Sequence, residues 1–297
     1  MIQKLKYFLK LYGVMGLIRE IARRVFKTRL KCYSTVEKLI FDKTGLEIGG
    51  PSPVFSRGGL LPLYSIAGSL DNCNFCSTTV WEGAIQEGHT FNFDPLHAPG
   101  KQYILEITDL KPIMADFYDF VISSNALEHT SNPLKALLEM RRVLKVGGIL
   151  ILVLPHKEGT FDHRRQVSTI EHLIDDYSKS MSEDDLTHLQ EILSCHDLNR
   201  DPWTGDIETF TARSKCNFEN RCLHHHVFDT KLAVELINWL EMQIIAVELA
   251  LPHHIIITAR KTDSSQQVQN SSFLNDDAQH LKFSPFASDR AHGQKTA

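Results

Sequence analysis

The chain has 297 residues, of which 42% are hydrophobic and 23% are charged, with a formal net charge of -4. These values are typical of a soluble globular protein and predict no general affinity for nucleic acid. No apolar run is long enough to span a bilayer, and residues 1–31 lack the apolar core and cleavage site of a signal peptide. Six cysteines without a regular framework suit a reducing compartment, so we expect a cytoplasmic protein.

Residues 1–35 form the first predicted unit, a basic amphipathic helical segment. Residues 1–31 hold nine Lys and Arg against one acid, Glu20. Apolar side chains such as Leu5 and Leu9 recur at helical spacing between these charges. Such a helix packs its apolar stripe on the domain, covers the active site, or makes weak peripheral contact with an anionic membrane surface.

Residues 36–155 are predicted to alternate strands and helices, and the pattern is strongest at its end. The predicted elements there are a strand at Tyr118–Ser123, a helix at Asn132–Val143 stopped by Gly147-Gly148, and a buried strand at Ile149–Leu154. A strand-helix-strand unit of this kind belongs to an open α/β sheet. Such sheets bind ligands at the carboxyl ends of their strands.

Three further segments complete the chain. Residues 156–228 are a polar, His-rich insertion with short helices, for example around Glu183–Leu193. Residues 229–260 resume the alternation with a helix at Thr230–Glu241 and strands at Gln243–Leu249 and His253–Ala259. Residues 261–297 are rich in Ser, Gln, Asn and Asp, and we expect them to be disordered because they bury too little apolar surface to offset the entropy of ordering.

The run YDFVISSNALEH, continued by NPLKALLEMRRVLKVGGILILVLP, resembles class I S-adenosylmethionine (SAM) dependent methyltransferases of type 11, which act on small molecules. The resemblance covers residues 40–155 well and 227–260 more loosely, and Val146 replaces the family's usual proline. It implies an open, mostly parallel Rossmann-like α/β sheet with helices on both faces and an antiparallel last strand. It further implies methyl transfer from SAM to an unidentified acceptor by a domain at 36–260, in which we expect residues 156–228 to bind the acceptor.

By this resemblance, the first strand and its glycine-rich loop are Leu46–Ser52. Glu47 would stand at the strand end, where its carboxylate receives the methionine ammonium of SAM. Gly49 and Gly50 would let the backbone approach the cofactor, as glycine permits. The sequence departs from the family's G-x-G here, since Pro51 removes one N–H donor. Taken alone, the glycine pair is also compatible with a plain turn.

The other expected cofactor residues follow later strands. Asp71 lies 24 residues after Glu47 and would accept the ribose hydroxyls, although it also suits a turn. Glu106 would meet the adenine amine and the Ile107 amide the adenine ring, by resemblance. Ser124 and Asn125 would line the methyl-donor pocket, or form a turn.

The candidate catalytic residues are His129 and His156. His129 follows Glu128 and would accept a proton from a hydroxyl or amine nucleophile, or fix the start of the helix. His156 directly follows the last buried strand of the predicted unit, in a polar run that forms either a base with an anion clamp or a solvated loop. The pair Cys73 and Cys76 has a metal spacing but no second pair to complete it, so no metal site is predicted.

Two other classes of function stay open beside the enzyme. A catalytically degenerate methyltransferase fold would serve as a binding or scaffold protein, and the unusual loop after Ile48 favours this alternative. A nucleotide-binding dehydrogenase is disfavoured because no G-x-G-x-x-G opens the first helix. The sequence predicts a small-molecule partner and leaves the oligomeric state open.

Overall fold

The computed structural model describes residues 9, 14, 29–201, 203–263 and 265–292. The basic amphipathic helix predicted for residues 1–31 lies almost wholly outside this part of the chain, so it stays a prediction. None of the described helices is long and apolar enough to cross a membrane.

Eight of the ten strands in the described residues form one sheet. The strands are β1 (Thr44–Ile48), β2 (Ser69–Asn74), β3 (Thr78–Thr79), β4 (Gly83–Ala84), β5 (Gly88–Phe91), β6 (Gly100–Ile104), β7 (Tyr118–Ser124), β8 (Leu144–Pro155), β9 (Met242–Ala250) and β10 (His254–Lys261). The order is β5-β6-β2-β1-β7-β8-β10-β9, while β3 and β4 form a separate hairpin. The strands from β6 to β8 in this order run parallel, and β10 is antiparallel to both of its neighbours. The predicted fold class is therefore confirmed.

Helices cover both faces of the sheet. The helices are α1 (Tyr33–Ile40), α2 (Pro133–Val143), α3 (Ile170–Ser178), α4 (Leu189–Cys195), α5 (Ile207–Lys215), α6 (Asn217–Asn220), α7 (Thr230–Trp239), α8 (Ser271–Leu274), α9 (Gln279–Lys282) and α10 (Ala287–His292). The apolar stripes of α2 and α7 join one buried cluster with Leu46 and Val121. That of α1 joins the cluster on the opposite face, with Phe120 and Ile122.

Helix α2 shows how local sequence sets an element. Pro133 begins it, and the Asn132 side chain accepts a hydrogen bond from the Lys135 amide at 3.1 Å, which caps the free N–H groups. The helix ends at Val143, as predicted. Gly147 then takes a φ of +82°, within the strand that follows rather than at the helix end.

The predicted alternation fails between β1 and β6. In place of helices, the structure has a single 3-10 turn at Pro53–Phe55, the β3–β4 hairpin and the antiparallel edge strand β5. No long helix follows β1 because Pro51, Pro53 and Pro62 each lack the backbone N–H group that a helix would use. The edge of the sheet next to the glycine loop is therefore built from loops and short strands.

The C-terminal segment corrects a second expectation. Residues 271–292, predicted to be disordered, form three short helices. Phe286 is 1% exposed and stacks on the His156 ring at a centroid distance of 3.9 Å. The Asp289 carboxylate accepts hydrogen bonds from Thr230 at 2.7 Å and Ser284 at 2.6 Å. The polar composition concealed a few apolar side chains that anchor the segment.

We expect Phe286→Ala to lower the free energy of unfolding by about 3–5 kcal/mol, because it deletes a buried aromatic side chain and leaves a cavity. Urea unfolding followed by circular dichroism measures this. Phe283→Ala is the matched control, since Phe283 lies on the same segment and is 80% exposed. If Phe286→Ala unfolds at the same urea concentration as Phe283→Ala and the parent protein, the original expectation of a disordered tail would hold.

Candidate functional site

The candidate site lies where the parallel strands β6, β2, β1, β7 and β8 end together, the edge at which sheets of this kind bind ligands. The glycine loop leaves β1 there. Gly49 has a φ of +74°, which strains any side chain, and its amide donates to the Cys73 carbonyl at 2.9 Å. A Cβ on Gly50 would lie 2.2 Å from the Glu47 carboxyl carbon. Both positions therefore require glycine.

Glu47 lies directly under this loop and is fully buried. The Tyr64 hydroxyl lies 2.9 and 2.8 Å from its two carboxylate oxygens, and the Ser52 amide donates to it at 3.0 Å. Burial raises the pKa of Glu47 to about 7. Glu47 stands at the end of β1, as predicted, but its carboxylate holds the loop from inside the protein.

An amide network missed by the sequence analysis fixes the same loop. The Gly50 backbone amide donates to the side-chain oxygen of Asn72 at 3.0 Å, and the side-chain Nδ2 of Asn72 donates back to the Gly50 carbonyl at 3.0 Å. Asn72 also contacts Asn74 and Gln102. A cleft of about 300 Å³ opens beside this network, lined by Gly50, Asn74 and Gln102 among others. The signal was the alternation in SLDNCN, which points both asparagines to one face.

Asp71 lies on the other face of β2 and does not reach the loop. Its carboxylate accepts hydrogen bonds from the Tyr118 hydroxyl and the Lys101 amide, each at 2.7 Å. Tyr118 begins β7, so this contact points toward the amino ends of the strands. The end of β2 is occupied instead by Asn74, three residues later. The sequence analysis expected Asp71 near the end of the second strand, whereas β2 ends at Asn74.

The end of β7 carries unpaired polar atoms. The Ser123 hydroxyl and the Asn125 side-chain oxygen are buried and have no hydrogen-bond partner among the described residues. Asn125 has a φ of +51°, and its amide donates to the Val153 carbonyl at 3.0 Å. Ser124 between them is 8% exposed. The predicted Ser124 and Asn125 thus lie at this edge together with Ser123.

The insertion reaches the edge at Glu106. Arg221 binds the Glu106 carboxylate at 2.7 Å and Glu183 at 3.0 Å, and its guanidinium lies 5.1 Å from the centre of the Phe75 ring. Ile107 is half-buried and packs against the core. The structure therefore brings Glu106 to the expected edge, where its carboxylate already has a cationic partner from the insertion.

The LEH segment (Leu127–His129) forms a one-turn 3-10 helix after β7, where it contacts Leu223 and His225 of the insertion. Burial lowers the pKa of His129 well below its usual value, with the neighbouring His224 adding to the effect. Its Nδ1 lies 3.2 Å from the Leu223 carbonyl oxygen. Burial raises the pKa of Glu128 to about 7, and one of its carboxylate oxygens has no partner among the described residues. Glu128, which was overlooked, is thus a better candidate base than His129.

His156 does not suit a general base. It is fully buried, its Nε2 lies 3.2 Å from Asp289 and its Nδ1 accepts from the Glu158 amide at 3.2 Å. Both ring nitrogens are therefore engaged in holding the C-terminal segment. His156 was predicted to be catalytic because it directly follows a strand. Residues that only anchor another segment can occupy the same position.

Two groups of side chains place potential metal ligands within 4.8 Å of one another. They are His172, Asp176, His188 and His226, and separately Glu128, His129 and His224. The consecutive histidines have different partners: Asp162 for His224, Asn217 for His225 and Asp176 for His226. The sequence predicted no metal site because most of these residues are distant in the chain. The one local signal was the i,i+4 spacing of His172 and Asp176.

Comparison with known proteins gives one family-model match and several similar solved structures. A family model described as a methyltransferase domain matches residues 74–152. No functionally curated protein matches the sequence. The chain resembles a SAM-dependent methyltransferase structure from Methanosarcina mazei, at 18% identity over 78% of this chain and 99% of that one, with a TM-score of 0.42.

Two other solved structures are similar at the same level. A SAM-dependent methyltransferase from Aquifex aeolicus is 13% identical over 87% of this chain and 97% of that one, with a TM-score of 0.39. A 1,6-didemethyltoxoflavin-N1-methyltransferase from Burkholderia thailandensis, solved with 1,6-didemethyltoxoflavin and S-adenosylhomocysteine, is 11% identical over 88% of each chain, with a TM-score of 0.41.

The matched residues 74–152 run from the end of β2 through β6, β7 and α2 into β8. They include β7, the LEH segment, α2 and most of β8, which carry most of the sequence run on which the resemblance is based. Residues 74–152 of the chain are thus similar to a methyltransferase domain, in agreement with the resemblance to class I S-adenosylmethionine-dependent methyltransferases of type 11.

Proposed function

We propose that the protein transfers a methyl group from SAM to a small-molecule acceptor. The observation that carries this proposal is the pair of buried, unpartnered oxygens of Ser123 and Asn125 at the end of β7. A buried polar group left without a hydrogen bond costs about 1–3 kcal/mol. A polar ligand that bonds to these atoms would remove that cost, which favours a binding site at this position.

The residues around the glycine loop fit SAM, with one departure. Gly49 and Gly50 keep the loop free of side chains, and Asn74 lines the adjacent cleft at the end of β2. We assign the ribose hydroxyls to Asn74 in place of Asp71. Glu47 has hydrogen bonds from Tyr64 and Ser52, so we assign it the role of holding the loop and not that of receiving the ammonium.

When bound, SAM supplies a methyl group that its sulfonium charge already activates. The chain must then align the acceptor, exclude water and, where the nucleophile requires it, accept a proton. We propose that residues 156–228 do the first two as a cap on the domain at residues 36–260. Support comes from the contacts of Arg221 with Glu106 and of the His225 amide with the Glu128 carbonyl at 2.8 Å, which hold the cap over the edge.

We assign proton acceptance to Glu128. Its pKa of about 7 is suited to a base at neutral pH, and its unpartnered oxygen is free to accept a proton.

A cytoplasmic location is proposed from the cysteines, all six of which are free thiols in the described chain.

Titration calorimetry with SAM tests the proposal against its alternatives. Binding of SAM and of S-adenosylhomocysteine supports the methyltransferase. Absence of both would leave the scaffold protein, which the hydrogen-bonded state of the Glu47 carboxylate favours. Binding of NAD or NADP instead would point to a dehydrogenase.

We expect Asn74→Ala to weaken SAM binding about tenfold, since a buried hydroxyl that loses its partner costs about 1–3 kcal/mol. Asp71→Asn is the control on the same strand. It should leave SAM affinity unchanged and lower the melting temperature, because Asp71 bonds Tyr118 on the other face. Calorimetry and thermal unfolding measure the two effects. If Asp71→Asn weakens SAM binding and Asn74→Ala does not, Asp71 would be the residue that binds the ribose hydroxyls.

We expect kcat/KM to rise with pH through an apparent pKa of about 7, because only the ionised Glu128 accepts a proton. Glu128→Gln should flatten this rise and lower the rate about 10²–10⁴-fold. Glu47→Gln is the control, since the pKa of Glu47 is also about 7 and this variant should keep the rise. Comparing methylated products from cells with and without the protein supplies the acceptor. A rise that survives Glu128→Gln would exclude Glu128 as the base.

A further inference from the structure

Four side chains of the insertion converge on one point. The Nε2 atoms of His172 and His188 lie 3.0 Å apart. The Asp176 carboxylate lies 2.9 Å from Nε2 of His226 and 3.4 Å from Nε2 of His172. Four ligands arranged tetrahedrally at zinc-ligand bond lengths lie about 3.3 Å from one another. The three observed distances, 2.9–3.4 Å, are close to this value, and all four ligand atoms lie within 4.8 Å of one another.

The local structure explains this convergence. His172 and Asp176 occupy one face of α3, one turn apart, and His188 immediately precedes α4. His226 is brought to α3 by two hydrogen bonds between adjacent backbone segments. The Ser168 amide donates to the Val227 carbonyl at 3.0 Å, and the Val227 amide donates to the Ser168 hydroxyl at 3.1 Å.

The four side-chain atoms that lie close together can all act as electron-pair donors to a cation. A carboxylate oxygen is an acceptor only, and a neutral imidazole has one acceptor nitrogen. With the four atoms this close, a shared cation satisfies them all, whereas hydrogen bonds satisfy them only in pairs. Asp176 and His226 are 4% and 1% exposed, while His172 and His188 are half-buried, so an ion has a path from solvent.

We propose that His172, Asp176, His188 and His226 form a zinc site that holds the insertion together. Three imidazole nitrogens and one carboxylate oxygen are ligands that Zn²⁺ favours, and a set of four protein ligands is typical of structural sites. The site joins α3, the start of α4 and the segment after α6. This proposal stands independently of the proposed methyl transfer.

The insertion needs such a tie because its own apolar core is small. Outside the main clusters, only Leu189, Ile192, Phe210 and Leu223 form a buried apolar group among the described residues. His226 is also two residues from His224, which contacts the LEH segment through the His129 ring at a centroid distance of 4.7 Å. The ion would therefore fix the part of the cap that covers the acceptor side.

The test begins with metal content. We expect the full-length protein, purified without chelators and supplied with Zn²⁺, to hold one zinc per chain by mass spectrometry of the metal. Removal by a chelator should lower the melting temperature and expose the insertion to protease. His172→Ala and His188→Ala should each weaken zinc binding at least tenfold. His163→Ala is the matched control, because His163 lies in the same insertion and binds Asp197 instead.

A second variant guards against simple misfolding. His188→Cys retains a zinc ligand, so it should keep the ion and, loaded with Co²⁺, gain a thiolate-to-cobalt absorption that the parent protein lacks. SAM affinity, measured on the same samples, should not depend on zinc, so failure of either proposal is visible separately. Zinc that is absent from the full-length protein, or that stays bound in the His172 and His188 variants, would overturn the site. A retained ion would instead belong to Glu128, His129 and His224.

Discussion

The contact between Gly50 and the carboxyl group of Glu47 determines the shape of the candidate site. A buried carboxylate is costly unless it is hydrogen-bonded, and Glu47 obtains its bonds from Tyr64 and from the Ser52 amide of the loop that covers it. The loop can lie that close only because Gly50 has no side chain. Loop geometry and carboxylate burial therefore depend on each other. A side chain at Gly50 or an apolar residue at Glu47 would disturb both.

The insertion is stabilised by polar contacts to a greater degree than the sheet. Arg165 is 2% exposed and donates to the Asp162 carboxylate and to the carbonyls of His224 and His225. Removing one partner of such a buried group leaves the other uncompensated, at a cost of about 3–5 kcal/mol. The arginine thus fixes the backbone of the three histidines, whose side chains then contact different groups. In the insertion, charge pairing thus fixes the positions of buried groups, as apolar packing does in the main core.

The sequence predicted the elements whose patterns are local. Helix α2 and strands β7 and β8 follow from their apolar periodicity and from the cap at Asn132, and the match to a methyltransferase domain falls on the same residues. Asp71 shows the limit of this reasoning. The sequence does not mark where β2 ends or how β2 is aligned with β1, and a shift of one residue in that register reverses the face of every side chain. The tail was misread because a few buried contacts, such as that of Phe286 with His156, outweigh average composition. The group around His226 required tertiary proximity that no spacing encodes.

The glycine loop and the insertion are consequently stabilised by different kinds of interaction. The glycine loop belongs to the sheet, whose apolar clusters contain most of the buried side chains. Residues 156–228 contact that sheet through polar ties, among them Arg221 with Glu106 and the His225 amide with the Glu128 carbonyl, and through Leu173, which joins the apolar cluster of the sheet. Segments with few apolar contacts open at lower free energy than the core that carries them. We therefore expect residues 156–228 to open at lower free energy than the glycine loop. In the proposed enzyme this would ease the exchange of the acceptor, SAM and their products, all of which enter or leave in each turnover.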